Sequence, residues 1–356
     1  MDPKNILIFR IGHLGDTVVA LPALWSLRER FSTSRITLLT NIDLRNRHYI
    51  SPASVLPQNG LIDEFIAYPT NLRSAFKAAA LLKLMGELRS RQFDIAVYLM
   101  PRQRTSLQVT RDRFFFRLCG LRELIGSDFL LRNRLEVPCP KPLTSTMREA
   151  RFLLEMLKDL GIEPGLENTD LLLTPAEIAS ADRWIRESTA VAGSSKLIAI
   201  APGAKWESKR WAEENYAEIV SMLLQDHDVF PVVFGGKEDR EAGDRMLGRW
   251  RRGANAAGIL TVRESAALLR ECVFYLGNDT GTMHLASAVG TPCVAIFAGV
   301  DWKGRWDPFG ERNRLFRASY QCEGCDLGRC INQHRCLELI DKDEVYRECL
   351  SQINGE

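Results

Sequence analysis

The sequence predicts an α/β protein made of two doubly wound domains, and three observations carry the prediction. The chain has 356 residues, about 2.4 times a typical domain of roughly 150. Short apolar runs alternate with amphipathic stretches in the order strand, helix, strand, which is the pattern of parallel sheets covered by helices. The alternation lapses between residues 161 and 174, a stretch rich in turn-forming residues, and then restarts. The domain boundary is therefore placed near residue 170.

Taken in order, residues 5–11 read as the opening strand, because Ile6-Leu7-Ile8-Phe9 is a continuous apolar run of strand length. Gly12 and Gly15 mark a turn, residues 16–31 a helix and residues 35–39 a second strand, a βαβ unit. Further strands are expected at 64–68 and 93–100, with helices at 72–91 and 147–160. In the second half a helix begins at Pro175. Strands at 197–201, 229–234, 273–276 and 292–297 then alternate with helices at 212–224, 239–250, 265–272 and 282–289. An amphipathic helix at 341–353 closes the chain, so the expected division is 1–170, 171–340 and a terminal helical segment 341–356.

Composition narrows the function classes. Charges nearly cancel, 47 basic against 45 acidic, so no global field points to nucleic acid. Lys77, Lys83 and Glu87 interrupt the most apolar stretch, residues 75–88, which argues against a membrane span. The first residues lack a secretory pattern, and nine dispersed cysteines read as reduced thiols. The expectation is a soluble cytoplasmic protein with at most peripheral membrane contact.

In open α/β sheets ligands sit beyond the carboxyl ends of the strands, and two such domains facing each other leave a cleft between their loops. Four loops stand out. Residues 10–17 lack the glycine spacing of a dinucleotide fingerprint, which disfavours an NAD-dependent oxidoreductase, but place Asp16 at a helix start. There it serves as a cap or as a catalytic carboxylate. His13 in the same turn reads as a hydrogen-bonding or surface residue. Residues 201–211 put Lys205, Lys209 and Arg210 beside small residues, suited either to phosphate or to an exposed basic turn. Residues 277–284 bring Asp279, Thr280, Gly281 and His284 to a strand-to-helix junction, where backbone N–H groups form an anion site without a metal. Gly235-Gly236-Lys237-Glu238 has Glu where a Walker A loop needs Ser or Thr, and its acid suits ribose hydroxyls.

These motifs, in order along nearly the whole chain, resemble the bacterial heptosyltransferases, glycosyltransferase family nine. The likeness rests on Gly12 to Leu24 (GxxGDTxxxxPAL), on Ala-Pro-Gly with Lys-Arg-Trp and Asn-Tyr between Ala201 and Tyr216, and on Gly277 to Pro292 (GNDTGxxHxAxAxGTP). The resemblance implies the GT-B fold of two Rossmann-like domains, the acceptor on the N-terminal one and a nucleotide-sugar donor, ADP-heptose, on the C-terminal one. It further implies inverting transfer to an anionic lipopolysaccharide-core acceptor, with no cofactor required for catalysis. Asp16 becomes the general base and Lys209 a ligand of the donor phosphates. Thr280, Gly281 and His284 form the pyrophosphate loop, Asp279 orients the donor and Glu238 holds the ribose. Residues 302–310, with Trp306 and Pro308, correspond to a loop near the nucleotide.

Two features stand beside this resemblance. Residues 102–134 hold eight arginines against three acids, so Arg102, Arg104 and Arg111 are candidate contacts to an anionic acceptor, with a solvated, ion-paired helix face as the other reading. Cys322, Cys325, Cys330 and Cys336 can supply four thiolates to a structural zinc or iron ion, while buried free thiols are the other reading. A nucleotide-sugar epimerase, or a sugar-nucleotide sensor without turnover, would share most of these motifs.

Overall fold

The computed structural model describes residues 2–43, 49–57, 59–70, 74–135, 145–165, 167–188 and 195–355. The chain divides into two compact units, Met1–Val137 with Met147–Leu171, and Pro138–Thr146 with Leu172–Glu356. Each contains a parallel sheet with helices, a GT-B architecture.

In the first unit the order is β1 (Asn5–Phe9), α1 (Leu14–Val19), α2 (Leu21–Arg30), β2 (Arg35–Asp43), β3 (Glu64–Thr70) and α3 (Ser74–Ser90). It continues through β4 (Ile95–Tyr98), α4 (Ser106–Leu118), β5 (Leu124–Ile125), α5 (Ser127–Asn133) and α6 (Glu149–Glu155). The sheet order is β3-β2-β1-β4-β5. β1 lies between β2 and β4, which is why Ile6, Leu7 and Ile8 are fully buried and the strand reads as an unbroken apolar run. The single helix expected at 16–31 is two helices. Pro22 offers no N–H to continue the ladder, so the chain re-enters helix at Leu21. Residues 72 and 73, where the third helix was expected to begin, lie outside the described residues.

The second unit runs α7 (Pro175–Ser188), β6 (Lys196–Ala201), α8 (Glu213–Asp226), β7 (Val229–Val233), α9 (Arg240–Trp250), β8 (Ala254–Asn255) and α10 (Val262–Arg270). It ends with β9 (Tyr275–Asn278), α11 (Gly281–Ala288), β10 (Cys293–Ile296), β11 (Arg314–Phe316), α12 (Arg335–Glu338) and α13 (Lys342–Asn354). The sheet order is β11-β10-β9-β6-β7-β8. α10 starts three residues earlier than its periodicity suggests, because Thr261 and Glu264 close a reciprocal cap: the Glu264 N–H reaches the Thr261 hydroxyl at 3.2 Å and the Thr261 N–H the Glu264 carboxylate at 2.9 Å. α13 packs on α8, and its Val345, Cys349 and Ile353 join the core around Ile198, Ile219 and Leu276. The topological switch of this sheet lies between β6 and β9, both central, and their carboxyl ends carry the loops of interest.

Candidate active site

The site in the second unit is built around Asn278, the last residue of β9 and fully buried. Its Oδ1 accepts hydrogen bonds from the Trp211 N–H at 3.1 Å and the Tyr216 hydroxyl at 2.7 Å. Its Nδ2 donates to the Pro202 carbonyl at 2.6 Å and the Gly203 carbonyl at 3.3 Å. One amide thus joins the β6 loop, the segment entering α8 and the β9 loop, so the loops share one geometry. The loop motif alone does not single this residue out. The signal was there, since an Asn closing an apolar strand must satisfy four hydrogen-bonding positions once buried.

Around that hub lie the charged groups. A single 3-10 turn, Glu207–Lys209, delivers the Lys209 ammonium to Asp279 Oδ2 at 2.5 Å, with the Trp206 ring 5.8 Å away. Burial works against the lysine charge, yet Asp279 and Asp301 outweigh it and hold the ammonium above its ordinary pKa. Asp301, unremarked in the sequence, accepts from the Trp306 indole N–H at 2.5 Å, the Trp302 N–H at 2.8 Å and Arg305 at 3.2 Å. Burial alone would raise the Asp301 pKa, but Arg305 and Lys209 hold it below the usual carboxylate value. Arg305 is itself almost wholly buried. Cations and carboxylates therefore alternate beside the start of α11, where Thr280 is the N-cap. His284, buried in the first turn of that helix, meets the Trp306 ring edge-on at 5.9 Å. The structure thus brings Lys209, Asp279, Thr280, Gly281 and His284 to one junction, with Trp306 against them.

Glu238 lies on a neighbouring cavity of ≈ 490 Å³ that also takes in Gly203, Asp239 and Arg210. Asp239 explains the glycines there: a Cβ on Gly203 or Gly235 would come within 2.2 or 2.5 Å of its carboxylate. Burial first, then Glu238, pushes the Asp239 carboxyl above its ordinary value.

In the first unit Asp16 is the third residue of its helix. His13 is the N-cap, and Asp16 Oδ2 accepts the His13 N–H at 2.9 Å. The other oxygen lies 4.0 Å from Arg10, and the Asp16 side chain keeps 24% of its surface. Arg10 is buried and donates to the Asp16 carbonyl at 2.6 Å and the Leu99 carbonyl at 3.0 Å, tying the helix start to β4. Gly12 is required on two grounds: its φ is +147°, and a Cβ would fall 2.3 Å from that of Asp16.

Two groups of expected site residues find other partners in the structure. Arg102 and Arg104 are spent inside the unit: Arg102 grips buried Glu149 at 3.0 Å and stacks over Phe152, while Arg104 pairs with buried Asp112. Buried carboxylates demand such partners, so these two arginines hold the fold. Arg111 binds the same Asp112 at 2.6 Å with its side chain 65% exposed. The four clustered cysteines lie near one another, but among the described residues no group of three or more His, Cys, Asp or Glu is placed to hold one ion. The sulfurs turn instead to backbone donors. Cys330 accepts from the N–H groups of Asn332 and His334 at 3.4 and 3.2 Å, and Cys336 from Gly299 at 3.4 Å. Burial raises the thiol pKa of Cys325 and Cys336, and His334 is taken by Glu207 at 3.1 Å.

Two doubly wound units, with a cation and a helix N-terminus at the switch point of the second, are the architecture of the GT-B glycosyltransferases. The model of glycosyltransferase family 9 (heptosyltransferase) matches residues 81–335, and the chain belongs to that family. The lipooligosaccharide heptosyltransferase 2 of Haemophilus influenzae is 26% identical over 306 residues, covering 82% of this chain and 83% of its own. Among solved structures, a family 9 glycosyltransferase from Veillonella parvula superposes with TM-score 0.76 at 18% identity, covering 99% of this chain and 98% of its own. The E. coli ADP-heptose lipopolysaccharide heptosyltransferase II superposes with TM-score 0.67 at 18% identity, covering 99% of both chains.

Proposed function

We propose that this enzyme transfers heptose from ADP-heptose to a hydroxyl of an anionic lipopolysaccharide-core acceptor, with inversion at the anomeric carbon. The observation that carries the reading is the junction of Lys209, Asp279 and the Thr280-capped start of α11, a site suited to a diphosphate leaving group. In this scheme the acceptor oxygen bonds to the anomeric carbon from the face opposite the leaving group. The bond from that carbon to the β-phosphate oxygen breaks, and its electron pair stays with ADP.

Lys209 and the α11 N–H groups meet the charge that grows on ADP, while Asp279 keeps the ammonium in place. Glu238 takes the ribose hydroxyls. Asp16 takes the acceptor proton, and it need not be a strong base, because the hydroxyl becomes acidic as its bond to carbon forms. Arg111 offers its exposed guanidinium to an acidic group of the acceptor. Charge at the leaving group is met by the chain's own groups, so the scheme needs no divalent ion.

The testing experiment is a donor screen by thermal shift followed by turnover. Selective stabilisation by ADP-heptose, with ADP release that depends on acceptor, supports the reading. Sugar-nucleotide interconversion without acceptor would replace it with an epimerase.

A further inference from the structure

Several of the most exposed apolar side chains of the first unit lie on two helices, α3 and α4. On α3 the inward residues are Leu84 and Leu88, yet the outward row also is apolar: Phe76, Ala79, Leu82 and Gly86 follow one another at helical spacing. Phe76 and Leu82 are 66% and 63% exposed. On α4 Val109, Asp112 and Phe116 face inward, while Leu107, Phe114 and Leu118 form an outward ridge with Arg111 and Arg117 set among them. Leu107 and Phe114 are 80% and 65% exposed.

Both helices lie on the same face of the sheet. β3 to β4 and β4 to β5 move in one direction across the order β3-β2-β1-β4-β5, so right-handed crossovers put α3 and α4 on one side.

The charges on this face select its partner. Residues 74–90 and 106–118 carry six basic side chains against two acidic ones, Glu87 and the buried Asp112. Arg113 pairs with Asp128 and Arg111 with Asp112, but among the described residues no ion pair engages Lys77, Lys83, Arg89 or Arg117. Two copies of this chain meeting through the face would set like charges against each other. No helix among the described residues is long and apolar enough to cross a membrane. Exposed Phe and Leu amid uncompensated cations instead match an anionic lipid surface, where apolar groups enter the headgroup boundary and cations meet phosphate.

We propose that the α3–α4 face docks the enzyme on an anionic phospholipid bilayer. This deepens the acceptor reading above, since an acceptor anchored in lipid would be met at that surface, but the test uses neither donor nor acceptor. The full chain is sedimented with vesicles of equal parts phosphatidylglycerol and phosphatidylcholine, and with phosphatidylcholine alone. Binding to the anionic vesicles is expected to fall with added salt. Lys83→Glu with Arg117→Glu should weaken it by about 30-fold or more, and Leu82→Ser with Phe114→Ser by about tenfold or more.

All four positions are outward-facing, so thermal unfolding and kcat/KM on a soluble, lipid-free acceptor stay at wild-type values. Absence of wild-type binding to the anionic vesicles overturns the proposal. So does equal binding to both vesicle types without effect of the substitutions. Self-association that Leu82→Ser with Phe114→Ser abolishes, without vesicle binding, would make the face a contact between copies and likewise overturn it. Loss of turnover with vesicle binding intact would count against the catalytic reading alone.

Discussion

Replacing Lys209 by Met tests the proposed donor site most severely, because one cation would serve two purposes. The side chains of Lys209 and Asp279 are 17% and 7% exposed, with Nζ and Oδ2 2.5 Å apart. Removing the ammonium leaves Asp279 buried without that partner, which costs about 3–5 kcal/mol of stability. It would also remove the proposed charge-assisted contact to phosphate, about 1.5–3 kcal/mol, so the donor dissociation constant should rise about 10- to 150-fold. Leaving-group charge grows further in the transition state, and kcat should fall by a further factor of about 100 or more.

A second variant separates the two effects. Lys209→Met with Asp279→Asn removes both charges and should recover stability to within about 1 kcal/mol of wild type, while transfer stays lost. Calorimetric unfolding, donor titration and coupled ADP release supply the measurements. A single variant with near wild-type donor affinity and turnover would refute the reasoning, as would recovery of activity in the double variant.

Three further outcomes follow from the same structure. Asp16→Asn should abolish transfer while leaving donor affinity within about twofold, since the proposed role of Asp16 is to take the acceptor proton; residual activity above about a tenth of wild type would reject that role. Asn278→Ala strips four hydrogen-bonding partners from a buried hub and should cost about 3 kcal/mol, seen as a melting temperature lower by about 6–12 °C; an unchanged melting curve would remove the hub from the account. Glu177, bound by Arg263 at 2.6 Å, has a carboxyl that burial would raise but that Arg263 and Thr174 hold below its ordinary value of 4.5. Its folded pKa is depressed, so its contribution is present above about pH 4.5 and lost as pH falls through the lower folded value. Melting temperatures between pH 3 and 7 should show that loss in wild type and not in Arg263→Met.

The fold was legible because the central strands are buried on both faces and therefore read as unbroken apolar runs such as Ile6–Phe9 and Ile198–Ala201. Three of the four edge strands were not, although the fourth, Glu64–Thr70, is long enough to be read. Leu124–Ile125, Ala254–Asn255 and Arg314–Phe316 are two or three residues long and carry no periodicity to detect. In the candidate site, the grouping of Lys209, Asp279 and His284 could be anticipated because they lie in or next to short turns beside glycines and phosphate-suited residues. Asp301 and Arg305 could not, since their importance is pairwise: Asp301 binds both buried Arg305 and Trp306, a fact that appears once the loop is folded. The arginine-rich segment misled for the converse reason. Its count of cations was correct, but Glu149, distant in sequence, consumes Arg102, and Asp112 draws Arg104 inward.

One product analysis tests the proposed chemistry most directly. The enzyme is incubated, with and without a metal chelator, with ADP-heptose and a lipopolysaccharide-core acceptor lacking its heptose. ADP release is followed together with product mass and the anomeric coupling by NMR. The proposed chemistry predicts one ADP per heptosylated acceptor, an anomeric configuration opposite to that of the donor, and no loss of rate on chelation. Retained configuration, ADP formed without acceptor, or no product from ADP-heptose where another sugar nucleotide supplies one would contradict it.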